Sequence, residues 1–165
     1  MSHLSITIVV LLSLLAIMLF VVGYRSRRKQ TAAKPLDLTA FRTLMDRDDE
    51  AFLREKLSRA EFFHQKRLRI RVTWKYVRRI ADNSAVVLRH VATSPDPEVR
   101  QLEDLAAQLR MNCLVDFAKL ALEFAIPSVQ LTPAMLALKY ESLRQNLSRL
   151  GRLHPQDLAP LASAM

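Results

Sequence analysis

The sequence predicts an all-α protein, in which a single N-terminal transmembrane helix precedes a cytoplasmic antiparallel helical bundle with long helices. Three observations carry that prediction. Residues Leu4 to Tyr24 form a run without a formal charge. Apolar residues from Phe62 to Ala92 keep one helical phase over about 31 residues, or about 46 Å of helix. No stretch alternates apolar and polar side chains with a period of two over a useful length, so no sheet is expected.

Composition sets the outer limits. The chain has 165 residues, 25 Lys+Arg against 16 Asp+Glu, a net charge of +9, one Cys and two Gly. Phosphate-cradling loops and dinucleotide turns need several glycines close together, and Gly23 and Gly151 stand far apart. The lone Cys113 forms no internal disulfide, and there is no second thiol to share a zinc ion.

The run 4–24 spans about 31 Å as a helix, the thickness of a bilayer's hydrocarbon core. Tyr24 falls where an interfacial aromatic belongs. A cleaved signal peptide wants basic residues before the apolar run and a small-x-small site after it. Here only His3 precedes the run, which exits into Arg25-Ser26-Arg27-Arg28-Lys29, so a retained anchor is expected. The cations Arg25, Arg27, Arg28 and Lys29 lie in a basic juxtamembrane linker, 25–35. By the positive-inside rule they place the N-terminus outside and the body in the cytoplasm of a cell (inner or plasma) membrane.

Residues 36–152 read as the bundle. A first helix starts near Asp37, with Leu38, Phe41, Leu44 and Met45 at helical spacing. A second carries Phe52, Leu53 and Leu57 behind Asp48 as N-cap. Asp48, Asp49 and Glu50 complement the positive end of that helix dipole, and the glycine and spaced oxygens of a calcium loop are missing. Ser58-Arg59-Ala60-Glu61 is a capping box that opens the long third helix, about 59–93. Pro95 and Pro97 end it.

The fourth helix runs from Pro97 to Ala125. Its second half is apolar over most of its circumference except a strip of Asn112, Asp116, Lys119 and Glu123. Such a helix is expected at the centre of the bundle, or covered by a second copy or another protein. Thr132-Pro133 opens the last helix. There Leu136, Tyr140, Leu143, Leu147 and Leu150 form a coiled-coil-like 4-3-4-3 seam, a candidate for oligomer or partner contact. Gly151 is placed as its C-cap. The tail, 153–165, has no pattern and is expected to be loose.

The search for chemistry yields no catalytic, cofactor or metal site. His3 and His90 have no second ligand three or four residues away. His64 has only Glu61 three residues before it and His154 only Asp157 three after it, so the two Glu-x-x-His motifs of a di-iron bundle are not both present. Trp74 lies on the apolar side of its helix, and Cys113 reads as a small hydrophobe. Asp116, Lys119 and Glu123 read as ion pairs, with a buried functional carboxylate as the sharper alternative.

The feature above background is a basic face. Between Glu61 and Asp82 there is no acidic residue. Arg67, Arg71, Lys75, Arg78 and Arg79 share one arc, while Lys66 and Arg69 fall towards the apolar side and are expected to snorkel outward. The arc is either a solvated face or a site for an anionic partner: acidic lipid headgroups, an acidic protein, or, least favoured, nucleic acid. Nucleic acid ranks last because no exposed aromatics interleave for base stacking. The whole points to a non-catalytic, single-pass membrane scaffold or interaction module that takes no cofactor or small-molecule substrate and binds a protein partner or a second copy. The alternative is an electrostatic binder of anionic lipid through the basic helix.

Overall fold

The computed structural model describes residues 32–92, 94, 96–129, 131, 134–153 and 158–165. The expected membrane span at 4–24, and with it Arg25, Arg27, Arg28 and Lys29, lies outside the described residues. Among those described, no helix is long and apolar enough to cross a membrane. The described residues hold helices and no strand, and residues from Ala32 onward form one compact unit.

The helix starts follow from side-chain caps. Asp37 accepts the N–H groups of Thr39 and Ala40, both at 3.0 Å, and opens α1 (Leu38–Leu44). Asp46 opens α2 (Arg47–Lys56) by accepting from the Asp48 N–H. The cap is therefore Asp46 and not Asp48, which leaves Asp48, Asp49 and Glu50 together in the first turn, facing the positive dipole end. The Ser58–Glu61 capping box opens α3 (Arg59–Val91), 33 residues and about 50 Å long. Hydrogen bonds from Ser58 hold the Glu61 carboxyl below its ordinary range. Asp96 and Pro97 open α4 (Pro97–Ala125).

At α5 (Ala134–Leu153) the structure differs from the expected C-cap. Gly151 lies inside the helix without a positive φ. A Cβ on it would sit 3.4 Å from the Ala162 Cβ and 3.5 Å from the Ala159 Cα. The glycine thus marks the crossing of a sixth helix, α6 (Ala159–Ala164), where backbones approach closely. The described part of the tail is accordingly not loose: Leu158, Leu161 and Met165 are buried. Proline in the first turn of α6 needs no N–H partner, so Pro160 starts this helix instead of blocking it.

α3 and α4 form the main interface, an antiparallel pair joined by residues 92–96. Trp74 meets Phe117 at 5.5 Å, and Arg67 meets Phe124 at 5.8 Å, so the partner number rises as the α3 number falls. α5 packs on α4, α6 on α5, and α1 on both α3 and α5. Phe41 of α1 stacks on Tyr76 at 5.4 Å.

The stretch enclosed on all sides lies in α3, from Ile80 to Leu88, and not in the second half of α4. Ile80, Asn83, Ser84, Val86 and Val87 are buried, although they face different directions round the helix. Polar groups there find partners: the Asn83 amide donates to the Tyr140 hydroxyl at 2.7 Å and the Lys34 carbonyl at 2.8 Å, and accepts from the Lys34 N–H at 3.0 Å. The Ser84 hydroxyl donates to the Ile80 carbonyl. α4, expected at the centre, buries one side and exposes the other.

Candidate functional site

The structure brings together a buried polar cluster that sequence reasoning divided between two surfaces. Lys66 does not snorkel: its side chain is 5% exposed. Its ammonium donates to Glu50 at 2.8 Å, to Glu123 at 3.0 Å and to the Val129 carbonyl at 3.0 Å, which uses all three N–H bonds. The other Glu123 oxygen accepts from the Leu131 N–H at 3.3 Å. One lysine thereby joins α2, α3, α4 and the segment after α4. A cavity of about 30 Å³ lies beside it, and a cleft of about 300 Å³ lined by Arg54, Arg59, Phe62 and Phe63 opens outward from it.

Arg69, expected to point outward, turns to α1 instead. Its guanidinium donates to the carbonyls of Leu44 and Asp46 at 3.1 and 3.3 Å and pairs with Asp49 at 3.3 Å. It thus occupies the Leu44 carbonyl left open at the end of α1, where a cation is favoured by the dipole, together with the carbonyl of the α2 N-cap Asp46. A lysine and an arginine on the apolar side of α3, opposite carboxylates in otherwise apolar or short helices, were the signal for both contacts.

The five cations of the basic arc, Arg67, Arg71, Lys75, Arg78 and Arg79, are exposed. Arg67 and Arg71 lie over the Phe124 ring at 5.8 and 5.6 Å, so the arc leans across the α3–α4 seam. Arg79 donates to the Pro35 carbonyl at 3.2 Å. Lys75 and Arg78 make no ion pair among the described residues.

The leucine seam of the last helix is used inside the chain. Leu136, Tyr140, Leu143, Leu147 and Leu150 are all buried, because α1, α4 and α6 pack around α5. Tyr140 is fully buried against Asn83, and burial pushes its phenol above the ordinary value. These five residues offer no contact surface to a partner.

Large apolar side chains are exposed on several helices, Leu68 and Val72 on α3 and Met135 and Leu138 on α5 among them, and four on α4 form one row. Met111, Val115, Leu122 and Ile126 are 62, 52, 42 and 46% exposed. At 100° per residue they fall within about 60° of one another, opposite the buried Leu102, Leu109 and Leu120. The polar strip beside this row is an internal one: Glu123 meets Lys66, and Asp116 accepts from Lys119 at 3.1 Å. Burial raises the Asp116 carboxyl, with the Lys119 bond opposing it. Cys113 is buried, and desolvation pushes its thiol far above the ordinary range. His64 and His90 are exposed, and among the described residues no group of three His, Cys, Asp or Glu is placed to hold a metal ion. Comparison with family models, curated proteins and solved structures finds no match for this chain.

Proposed function

We propose that this protein is a single-pass, membrane-anchored helical scaffold whose cytoplasmic bundle docks a protein partner. The apolar row on α4 carries the reading. Four large side chains, aligned and exposed on a helix whose opposite face is packed, form a patch that water disfavours and another protein surface would cover. The anchor rests on the length of 4–24 and on the cations Arg25, Arg27, Arg28 and Lys29 that follow it.

Light scattering of the full-length chain extracted in mild detergent tests the role. The expected particle is heavier than one chain plus detergent, and Val115→Asp with Leu122→Asp reduces it to the single chain without loss of helicity. A single-chain particle unchanged by those substitutions would end the scaffold reading. Retention in the membrane pellet after alkaline extraction tests the anchor. A second reading draws on the exposed arc Arg67, Arg71, Lys75, Arg78 and Arg79: binding to anionic headgroups, read as co-sedimentation with phosphatidylserine vesicles that weakens steeply as salt rises.

A further inference from the structure

The exposed face of α3 carries more than its five cations. Leu68 and Val72, each 39% exposed, stand on it as well. At 100° per residue the cations fall within about 120°, with Leu68 inside that arc and Val72 about 20° beyond Arg79. No acid occurs between Glu61 and Asp82 to interrupt it. On the α4 side, where Arg67 and Arg71 lie over Phe124, the carboxylates Asp116 and Glu123 are buried. On the α2 side, Asp49 and Glu50 are paired with Arg69 and Lys66. The chain also enters the bundle at one end of this arc. Arg79 itself donates to the Pro35 carbonyl, and Asn83, one turn on, clasps Lys34. From Arg79 back to Arg67 the arc runs about 18 Å along the helix. Between Tyr24 and Lys34 lie residues 25–33, a tether of at most about 35 Å.

We propose, on the basis of the anchor and of the headgroup-binding reading, that α3 lies along the same membrane that holds 4–24, with its arc on anionic headgroups and Leu68 and Val72 among them. Charge alone would suit an acidic protein equally well; the tether selects the bilayer. A surface held within about 35 Å of the arc competes at an effective concentration of about millimolar, which a diffusing partner does not match. No acid precedes Asp37, and Arg25, Arg27, Arg28 and Lys29 in the tether are drawn to the same headgroups. Apolar side chains set among cations are the composition of an interfacial helix face, whereas a solvated face mixes the signs of its charges. α3 is already formed and held by the bundle, so docking orders no new segment.

Fluorescence quenching decides it, in the full-length chain reconstituted into vesicles. A nitrobenzoxadiazole label is placed on Leu68→Cys, on Val72→Cys or, as control, on Gln145→Cys, exposed on α5. Cys113 is buried with a raised thiol and stays unlabelled. The quencher is phosphatidylcholine spin-labelled on its headgroup, in the protein's own vesicles. With about 30% phosphatidylserine, quenching at 68 and 72 should exceed that at 145 about fivefold. It should fall to the level of 145 in pure phosphatidylcholine, at about 1 M salt, and in Arg71→Gln with Lys75→Gln and Arg78→Gln. If that variant loses helicity, the lipid and salt comparisons decide. Quenching at 68 and 72 no greater than at 145 overturns docking on the chain's own membrane. The headgroup reading then stands if added spin-labelled phosphatidylserine vesicles quench the label, and falls with it if they do not. Strong quenching indifferent to phosphatidylserine, to salt and to the Gln variant overturns the arc as its cause. A chain that an alkaline wash strips from the vesicles overturns the anchor and the proposal together.

Discussion

Lys66→Met severs the buried cluster and provides the sharpest physical test of the fold. The ammonium is the charge partner of Glu123, which is 4% exposed and among the described residues otherwise accepts the Leu131 N–H at 3.3 Å. Methionine fills much of the lysine's volume, so the change removes charge more than it opens space. Removing one partner of a buried pair costs about 3–5 kcal/mol, because the other charge stays buried and uncompensated. Glu50 suffers less, since its side chain is 19% exposed and can turn to water. For a domain of this size such a loss lowers the melting temperature by about 10–18 °C. Urea unfolding of Lys66→Met, Glu123→Leu and the double variant forms a cycle. The double variant should recover about 2 kcal/mol or more relative to the sum of the single changes. A Lys66→Met protein within about 1 kcal/mol of the parent, or strictly additive losses, would refute the cluster as drawn.

Asp116→Asn should leave stability unchanged or raise it by up to about 1 kcal/mol at neutral pH, since burial of the carboxylate outweighs its bond to a half-exposed lysine. The sign follows from the raised value: the folded state holds that proton more tightly than the unfolded chain. Asp116 therefore costs stability as pH rises above about 4, and the gap between Asn and Asp widens over that range before levelling off. Urea midpoints from pH 3 to pH 8 check it, and a loss above about 1 kcal/mol at neutral pH would mean that the Lys119 pair dominates. Gly151→Ala should stabilise by up to about 1 kcal/mol, because its Cβ would meet Ala162 and Ala159 near van der Waals contact and alanine suits a helix interior. Gly151→Leu should instead push α6 away, read as faster trimming of the C-terminal segment in limited proteolysis.

Local sequence signals placed most of the helices because their causes are local. The Ser58–Glu61 box, the Asp96-Pro97 start and the halt before Pro127 act within one turn of the residues concerned, and α3 and α4 run between them. Which helix sits at the centre depends on tertiary packing. α4 carries the more apolar surface, yet the enclosed stretch is Ile80 to Leu88 of α3, because the entering segment is clasped by Asn83 and α5 reaches it through Tyr140. Lys66 and Glu123 were visible separately, one on an apolar face and one in a narrow polar strip. A pairing across 57 residues has no local cause, so the sequence sends Lys66 to water and Glu123 to ion pairs within its own strip. The seam from Leu136 to Leu150 shows the converse: its period predicts a helix contact but not whether the neighbour belongs to the same chain.

The Asn83 clasp has a mechanical meaning. Its side chain grips the Lys34 backbone through both the N–H and the carbonyl, while Arg79 holds the next carbonyl, that of Pro35. Tension arriving along the chain from residues before 32 enters the bundle at this point and must break these bonds before it reaches the core. Because Asn83 is itself tied to Tyr140, that load passes directly into α3 and α5. Resistance of the body to such pulling is therefore set by the rate at which a few hydrogen bonds at its point of entry give way, which can change without any change in its equilibrium stability.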